Sequence, residues 1–174
     1  MVKVTSGKYR GRELVTPGEG THPMGAREKL ALFNMIAEFL PGANVLDAYA
    51  GSGALGIEAL SRGAEYVIFV EKNPRAARVI QANLEKLGLL ESAWVAEWDV
   101  KNFLPPKEFE VILADPPYDN FQIRDVAGLV KFLKAEGVFV LSHPGEAPAI
   151  ERLELVKSRE YAAARVSIYR KMRD

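Results

Sequence analysis

Cysteine is absent from the chain, and histidine is limited to His22 and His143 among 174 residues. The first absence excludes a disulfide framework and a thiolate metal centre, and the second leaves too few imidazoles to build a metal site, so no metal is expected. Long apolar runs are missing as well. None approaches the roughly 20 residues that a membrane span requires, and "MVKVTSGKYR" lacks the apolar core of a signal peptide. A cytoplasmic protein with no membrane partner is the expectation. Net charge is the third absence. Lys and Arg number 23 and Asp and Glu 23, so no overall cationic field gathers nucleic acid, and such a partner must be met by a local patch.

What is present is apolar material, 48% of the residues, enough for one well-buried domain in a chain too short for two ordinary ones. One domain over 1–174, working as a monomer, is expected. Charge is uneven along it. Residues 1–12 carry Lys3, Lys8, Arg10 and Arg12 with no acid, and "RVSIYRKMRD" at the other end carries Arg165, Arg170, Lys171 and Arg173. An ordinary solvated surface would explain both ends. The glycines in "SGKYRGREL" favour a short basic hairpin arm, placed over 1–23 ahead of a core over 24–174, with Lys3, Lys8, Arg10 and Arg12 as candidate RNA contacts.

Beyond the arm, helix and strand patterns alternate. "REKLALFNMIAEFL" (27–40) spaces Leu30, Phe33, Ile36, Ala37 and Leu40 on one helical face before Pro41-Gly42. "NVLDAYA", "YVIFVE", "SAWVAEWD", "FEVILAD" and "GVFVLSH" read as buried strands, with helices over "ALGIEALSRG", "PRAARVIQANLEKLG" and "IRDVAGLVKFLK". Such alternation predicts a doubly wound α/β fold with a mostly parallel sheet. The last two strands, "LELVKSRE" and "AARVSIYRK", are too close for a crossover helix and predict an antiparallel hairpin, for seven strands in all.

Between the first core strand and its helix, "LDAYAGSGALG" sets Gly51, Gly53 and Gly56 in a G-x-G-x-x-G pattern, with Glu71 ending the next strand. Glycines there let a ligand approach the helix N-terminus, and a carboxylate at Glu71 suits ribose hydroxyls. NAD satisfies that pattern too. Asp47 favours S-adenosylmethionine, because an acid where a pyrophosphate would lie repels a dinucleotide but suits a methionine-type ammonium. Ala50 and Lys72 flank these residues and join the cofactor-binding set. Asp99, beside Trp98, follows the third strand and is placed to accept from an adenine amine. Asp47, Glu71, Asp99 and Asp115 thus end successive strands, at the edge where open α/β sheets bind ligands.

"VILADPPYDN" stops the fourth strand with adjacent prolines, which fix φ and remove backbone donors. Asp115, Pro116, Pro117 and Tyr118 are the candidate catalytic residues. An exocyclic amine on a nucleobase is a poor nucleophile, its lone pair being delocalised into the ring. The Asp115 carboxylate and the Pro116 carbonyl can hold its hydrogens and aim that lone pair, on a corner that the prolines keep rigid. Tyr118 offers a stacking face for a base taken from its helix. His143, after the fifth strand, reads as a loop histidine, and Trp94 as packing.

"LDAYAGSGALGIEALSRGA" together with "ILADPPYD" resembles the Rossmann-like S-adenosylmethionine methyltransferases, and specifically the bacterial enzymes that methylate a guanine N2 of 16S rRNA. "SGKYRGREL", "LFN" at 32–34 and "SIYRK" extend the similarity over nearly the whole chain. The resemblance implies that Asp47, Gly51 and Gly53 bind cofactor, Glu71 holds its ribose, Asp99 meets its adenine, and Asp115 to Tyr118 receive the amine. It also implies a partly assembled 30S particle as substrate. "DPPY" alone is shared with adenine-N6 methyltransferases of DNA and RNA, which remain an alternative, as do an NAD-dependent oxidoreductase and a non-catalytic nucleotide-binding module. One segment departs from the family, which reads close to R-P-T-x-D-R-V-R-E where this chain has "HPMGAREKLA" (22–31). Its cations, Arg27 and Lys29, are candidates to replace the family residues that hold the cofactor's carboxylate and the rRNA there, a solvated helix face being the commoner role for such residues.

Overall fold

Near-continuous apolar runs in the core strands, whose successive side chains point to opposite sides, give the sheet two buried faces, and in the computed structural model, which describes residues 1–18, 23–162 and 164–174, each face carries its own core. The chain opens with β1 (Val2–Lys3) and β2 (Glu13–Leu14), followed by α1 (Ala26–Met35), β3 (Asn44–Asp47) and α2 (Ala54–Ser61). Then come β4 (Tyr66–Val70), α3 (Pro74–Leu87), β5 (Ala93–Ala96) and β6 (Phe109–Ala114). α4 (Ile123–Ala127), β7 (Leu133–His143), β8 (Leu153–Glu160) and β9 (Arg165–Lys171) complete it. Strand order is β5-β4-β3-β6-β7-β9-β8, with β3 to β7 mutually parallel and β9 antiparallel to β7 and β8. The seven-stranded doubly wound sheet and its closing hairpin are as the sequence predicts.

Register keeps the two faces distinct. Val45 pairs with Val67 and Val111 on the face covered by α1, α2 and α3, while Leu46 pairs with Ile68 and Ile112 on the face covered by α4. Strand order reverses between β3 and β6, so the carboxyl ends of these neighbours open a crevice where sheets of this kind take ligands. α3 is delimited as its sequence suggests. The Asn73 side chain caps it by accepting from Arg75 N at 2.9 Å and Ala76 N at 3.2 Å, Pro74 starts it, and Gly88 at φ 70° ends it.

Three expectations change. The helix expected over 123–134 is limited to α4, followed by a 3₁₀ turn at 130–132, because Leu133 is drawn into the sheet opposite Phe109 and β7 starts there. The helix expected to reach Leu40 ends at Met35, and a 3₁₀ turn over 37–39 still delivers Ile36 and Leu40 to the core. On α1 itself the faces differ from expectation, Leu30 being 40% exposed and Lys29 only 1%. His22, first residue of the divergent segment, and the end of the arm at 19–22 lie outside the described residues.

The arm is fastened to α2 by polar groups. Glu58 accepts from Thr5 N at 2.9 Å and Ser6 N at 3.1 Å, and Ser61 Oγ donates to the Ser6 carbonyl at 2.6 Å. Lys29 Nζ donates to the Lys3 carbonyl at 2.7 Å and lies 3.5 Å from Glu58. Gly7, at φ +84°, passes so close that a Cβ would sit 1.9 Å from the Ser61 carbonyl oxygen. On leaving, the chain is held by Asn83, which exchanges hydrogen bonds with Val15 N and O and donates to the Ser52 carbonyl. Lys3 pairs with Glu13 at 3.7 Å, while Lys8, Arg10 and Arg12 stay exposed.

Candidate active site

At the carboxyl edge of β3, β4, β6 and β7 lies a cavity of about 710 Å³. Its walls include Ala50, Gly51, Glu71 and Lys72 on one side, Trp98 and Asp99 beyond them, and Asp115, Pro116, Pro117 and Tyr118 opposite. The fold therefore gathers ten of the predicted cofactor and catalytic positions around one space. The four candidate RNA contacts, Lys3, Lys8, Arg10 and Arg12, are on the arm outside it.

The glycines divide the work. Gly51 adopts φ 56°, with open space where a Cβ would point, so the loop backbone faces the cavity bare. Gly56 serves packing instead, since a Cβ there would lie 2.3 Å from the Phe69 ring. Glu71 organises the loop: its Oε2 accepts from Gly51 N at 2.8 Å and its Oε1 from Asn73 N at 2.9 Å. Each oxygen keeps acceptor capacity for a ligand hydroxyl. Asp99 Oδ1 accepts from Lys101 N at 3.0 Å, which fixes its carboxylate at the end of β5.

Asp47 and Gly53 are not in the wall. Gly53 is the N-cap residue of α2, and Asp47 is 1% exposed, its Oδ2 accepting from Gly56 N at 2.9 Å while its buried Oδ1 has no hydrogen-bond partner among the described residues. The place in the wall expected for Asp47 is thus taken by the loop that follows it. Burial pushes its carboxyl up to about 7; the Gly56 bond opposes this, and the Asp115 and Glu71 charges add to it. In the unfolded chain this acid ionises near 3.8, so its stabilising contribution is full below that pH and is lost as pH rises through about 7. Asp47→Asn keeps an acceptor for Gly56 and cannot ionise. Relative to wild type, the variant should gain stability steadily between pH 5 and pH 8, by a total on the order of 2–4 kcal/mol. Urea unfolding at both pH values checks this, and a pH-independent difference would remove the buried charge as its cause.

At the opposite wall, Asp115 is pushed up to about 6 by burial, against a hydrogen bond from Ser142. Tyr118 Oη is hydrogen-bonded to Ser142 Oγ, and burial raises its phenol above the ordinary value. Ser142 is 3% exposed and was not singled out in the sequence. No local sequence signal marks it: its meaning comes from register, β6 and β7 pairing Ala114 with Leu141 so that the residues that follow, Asp115 and Ser142, come side by side. His143 is no loop residue. It ends β7 fully buried, its Nδ1 donating to the Pro144 carbonyl and its Nε2 accepting from Ser167 at 2.7 Å, and burial lowers its pKa. Neutral and internally satisfied, it serves structure. Tyr49, read as part of a strand, lines the cavity, its phenol pushed up to about 12 by burial and by Asp125 and Asp99. Lys29 and Tyr161 also reach the wall.

A doubly wound sheet with this strand order, a glycine loop and ribose-type acceptor at its switch point, and a rigid acid-Pro-Pro-Tyr corner facing them define a Rossmann-like methyltransferase domain. The chain belongs to the family described as Conserved hypothetical protein 95, whose model matches residues 2–170. YlbH of Bacillus subtilis (strain 168) is 35% identical over 182 residues, covering 98% of this chain and 99% of that protein. Ribosomal RNA small subunit methyltransferase D of Haemophilus influenzae is 38% identical over 132 residues, 72% of this chain and 68% of its own length. The solved structure of Escherichia coli yhhF superposes with a TM-score of 0.89 at 26% identity, covering 99% of both chains.

Proposed function

We propose that the protein is a cytoplasmic, monomeric, S-adenosylmethionine-dependent enzyme that methylates the exocyclic N2 amine of a guanine in 16S rRNA, within a partly assembled 30S subunit. The observation that carries the reading is the placement of Asp115 and its proline corner across one cavity from Gly51 and Glu71. Similarity to the Haemophilus relative, a small-subunit rRNA methyltransferase, supports the substrate class. The choice of guanine N2 rests on the resemblance of the glycine and proline motifs to that group of enzymes. Among the described residues, no helix is long and apolar enough to cross a membrane, and no cluster of His, Asp or Glu could hold a metal ion.

The donor and acceptor set fits the cofactor. Glu71 offers acceptors for the ribose hydroxyls, the bare Gly51 backbone permits close approach, Asp99 offers an acceptor for the adenine amine, and Trp98, 54% exposed, offers an apolar face beside it. When bound, S-adenosylmethionine supplies an electrophilic methyl group. The protein's part is to hold and desolvate the amine. Asp115 and the Pro116 carbonyl accept its hydrogens, directing the nitrogen lone pair away from them, and Asp115 or solvent takes the proton released as the nitrogen is alkylated. Tyr118 stacks on the base, and Lys8, Arg10 and Arg12 on the fastened arm meet phosphates.

Two measurements test this. S-adenosylmethionine at 100 times its dissociation constant should stabilise the protein by roughly 2.7 kcal/mol in a thermal-shift titration, and NAD should do nothing. Digested small-subunit rRNA from the reaction should contain N2-methylguanosine. N6-methyladenosine in its place would reassign the base, and stabilisation by NAD alone would reassign the enzyme class.

A further inference from the structure

We propose that Ser142 is a positioning residue for the Asp115 corner, its hydroxyl relaying a directed hydrogen-bond chain from Tyr118 to the Asp115 carboxylate. The inference rests on the catalytic reading of Asp115 given above and adds the group that fixes its charge and orientation.

Hydrogen-bond capacity decides the direction of the chain. A serine hydroxyl has one proton to give and can accept in return, a phenol likewise has one proton, and an ionised carboxylate only accepts. Ser142 Oγ is hydrogen-bonded to Tyr118 Oη, and its residue, next after the Ala114–Leu141 pair, stands beside Asp115 on the neighbouring strand, where it acts to lower the Asp115 pKa. With Asp115 ionised, the arrangement that satisfies all three groups has Tyr118 donating to Ser142 and Ser142 donating to Asp115. The reverse order would leave the buried carboxylate without that donor. Ser142 is 3% exposed, so water cannot readily substitute for it.

Two consequences follow for the site. The carboxylate is held in the acceptor form that an amine needs, in surroundings that otherwise favour its protonation: burial, with the Asp47 carboxyl on β3 also close enough to interact. Tyr118, in the same corner, senses the Asp115 charge and is tied through its hydroxyl to β7. Its ring and the carboxylate are therefore fixed to one another through a strand neither belongs to. Stacking face and amine acceptor then keep a constant relation, which is the condition for orienting a lone pair.

The test reads the carboxyl directly. In ¹³C NMR titrations, with the Asp115 signal assigned from Asp115→Asn, Ser142→Ala should raise the Asp115 midpoint by roughly one pH unit. Ser142→Thr, which keeps the hydroxyl, should return it to the wild-type value. In methylation assays the acid limb of the Ser142→Ala profile should move with it, for a loss of about fivefold at pH 6 that fades toward pH 9. A merely structural role would depress activity equally at every pH. Should Ser142→Ala unfold, Ser142→Cys, a weak donor of similar size, gives the same titration. An unmoved Asp115 midpoint overturns the inference. A midpoint that moves as expected, in a protein whose wild type methylates no small-subunit rRNA, supports the relay and overturns the catalytic reading alone.

Discussion

Asp115→Asn should lose roughly 10²–10³ in methylation rate, the usual scale for one preorganised polar group, while binding S-adenosylmethionine much as the wild type does. Shape is preserved in this variant. What changes is that a charged acceptor becomes an amide accepting through one atom, just where positive charge develops on the amine nitrogen. The wild-type profile should also be acid-limited. Asp115 is pushed up to about 6, so activity should fall as pH drops through that value and the carboxylate takes a proton. At pH 5 about a tenth of the plateau should remain. The Asn variant cannot ionise and should be nearly flat over the same range. Single-turnover assays with saturating cofactor check both statements, and an Asp115→Asn variant with full activity would overturn the mechanism.

How far the sequence could be read depended on whether the signal was local. The glycine pattern at 51–56, the acid ending each successive strand and the proline corner are short motifs whose placement follows once strand and helix alternate, and seven of their residues, Gly51, Glu71, Asp99 and Asp115 to Tyr118, face one cavity. Asp47 misled because a strand-end acid can serve a ligand or the next helix, and only the coordinates show its Oδ2 spent on Gly56 N. Ser142 was silent because a serine in an apolar strand gains meaning only from the neighbour that register supplies. Lys29 misled in the opposite sense. Three positions after Ala26 in a mixed-charge helix it reads as solvated, yet its ammonium is buried against Glu58 and the Lys3 carbonyl, partners distant in sequence. Basic C-terminal residues read as surface for the same reason: Lys171 donates to the Val130 carbonyl and Arg170 to the Glu136 carbonyl, which closes β9 against the start of β7 and the turn that leads into it.

The buried ion cluster carries the other large expectation. Glu58, fully buried on α2, accepts from Thr5 N, Ser6 N and Arg62 Nε, the last at 3.0 Å, and sits 3.5 Å from Lys29 Nζ, whose side chain is 2% exposed. The value of such a cluster is asymmetric. Building it costs desolvation of every charge in it, but removing one partner leaves the rest buried and uncompensated. Glu58→Ala would orphan the Lys29 ammonium and two backbone donors of the arm at once, and should destabilise the protein by about 3–5 kcal/mol. Against a typical total of roughly 5–15 kcal/mol, that is enough to bring unfolding near ambient temperature. Adding Lys29→Met to Glu58→Ala should recover part of the loss, because it withdraws the orphaned charge. Burial pulls the Lys29 pKa down and Glu58 pulls it back up, so the single variant should suffer most where the lysine stays charged. Urea unfolding of wild type, the single and the double variant measures each step. A Glu58→Ala protein within 1 kcal/mol of wild type, on the scale of exposed pairs, would show that the arm is held by its apolar contacts alone. If the larger loss is found, the same substitution also frees Lys8, Arg10 and Arg12 from their fixed station at the Ser61 end of α2. RNA methylation should then fall further than the loss of folded protein accounts for.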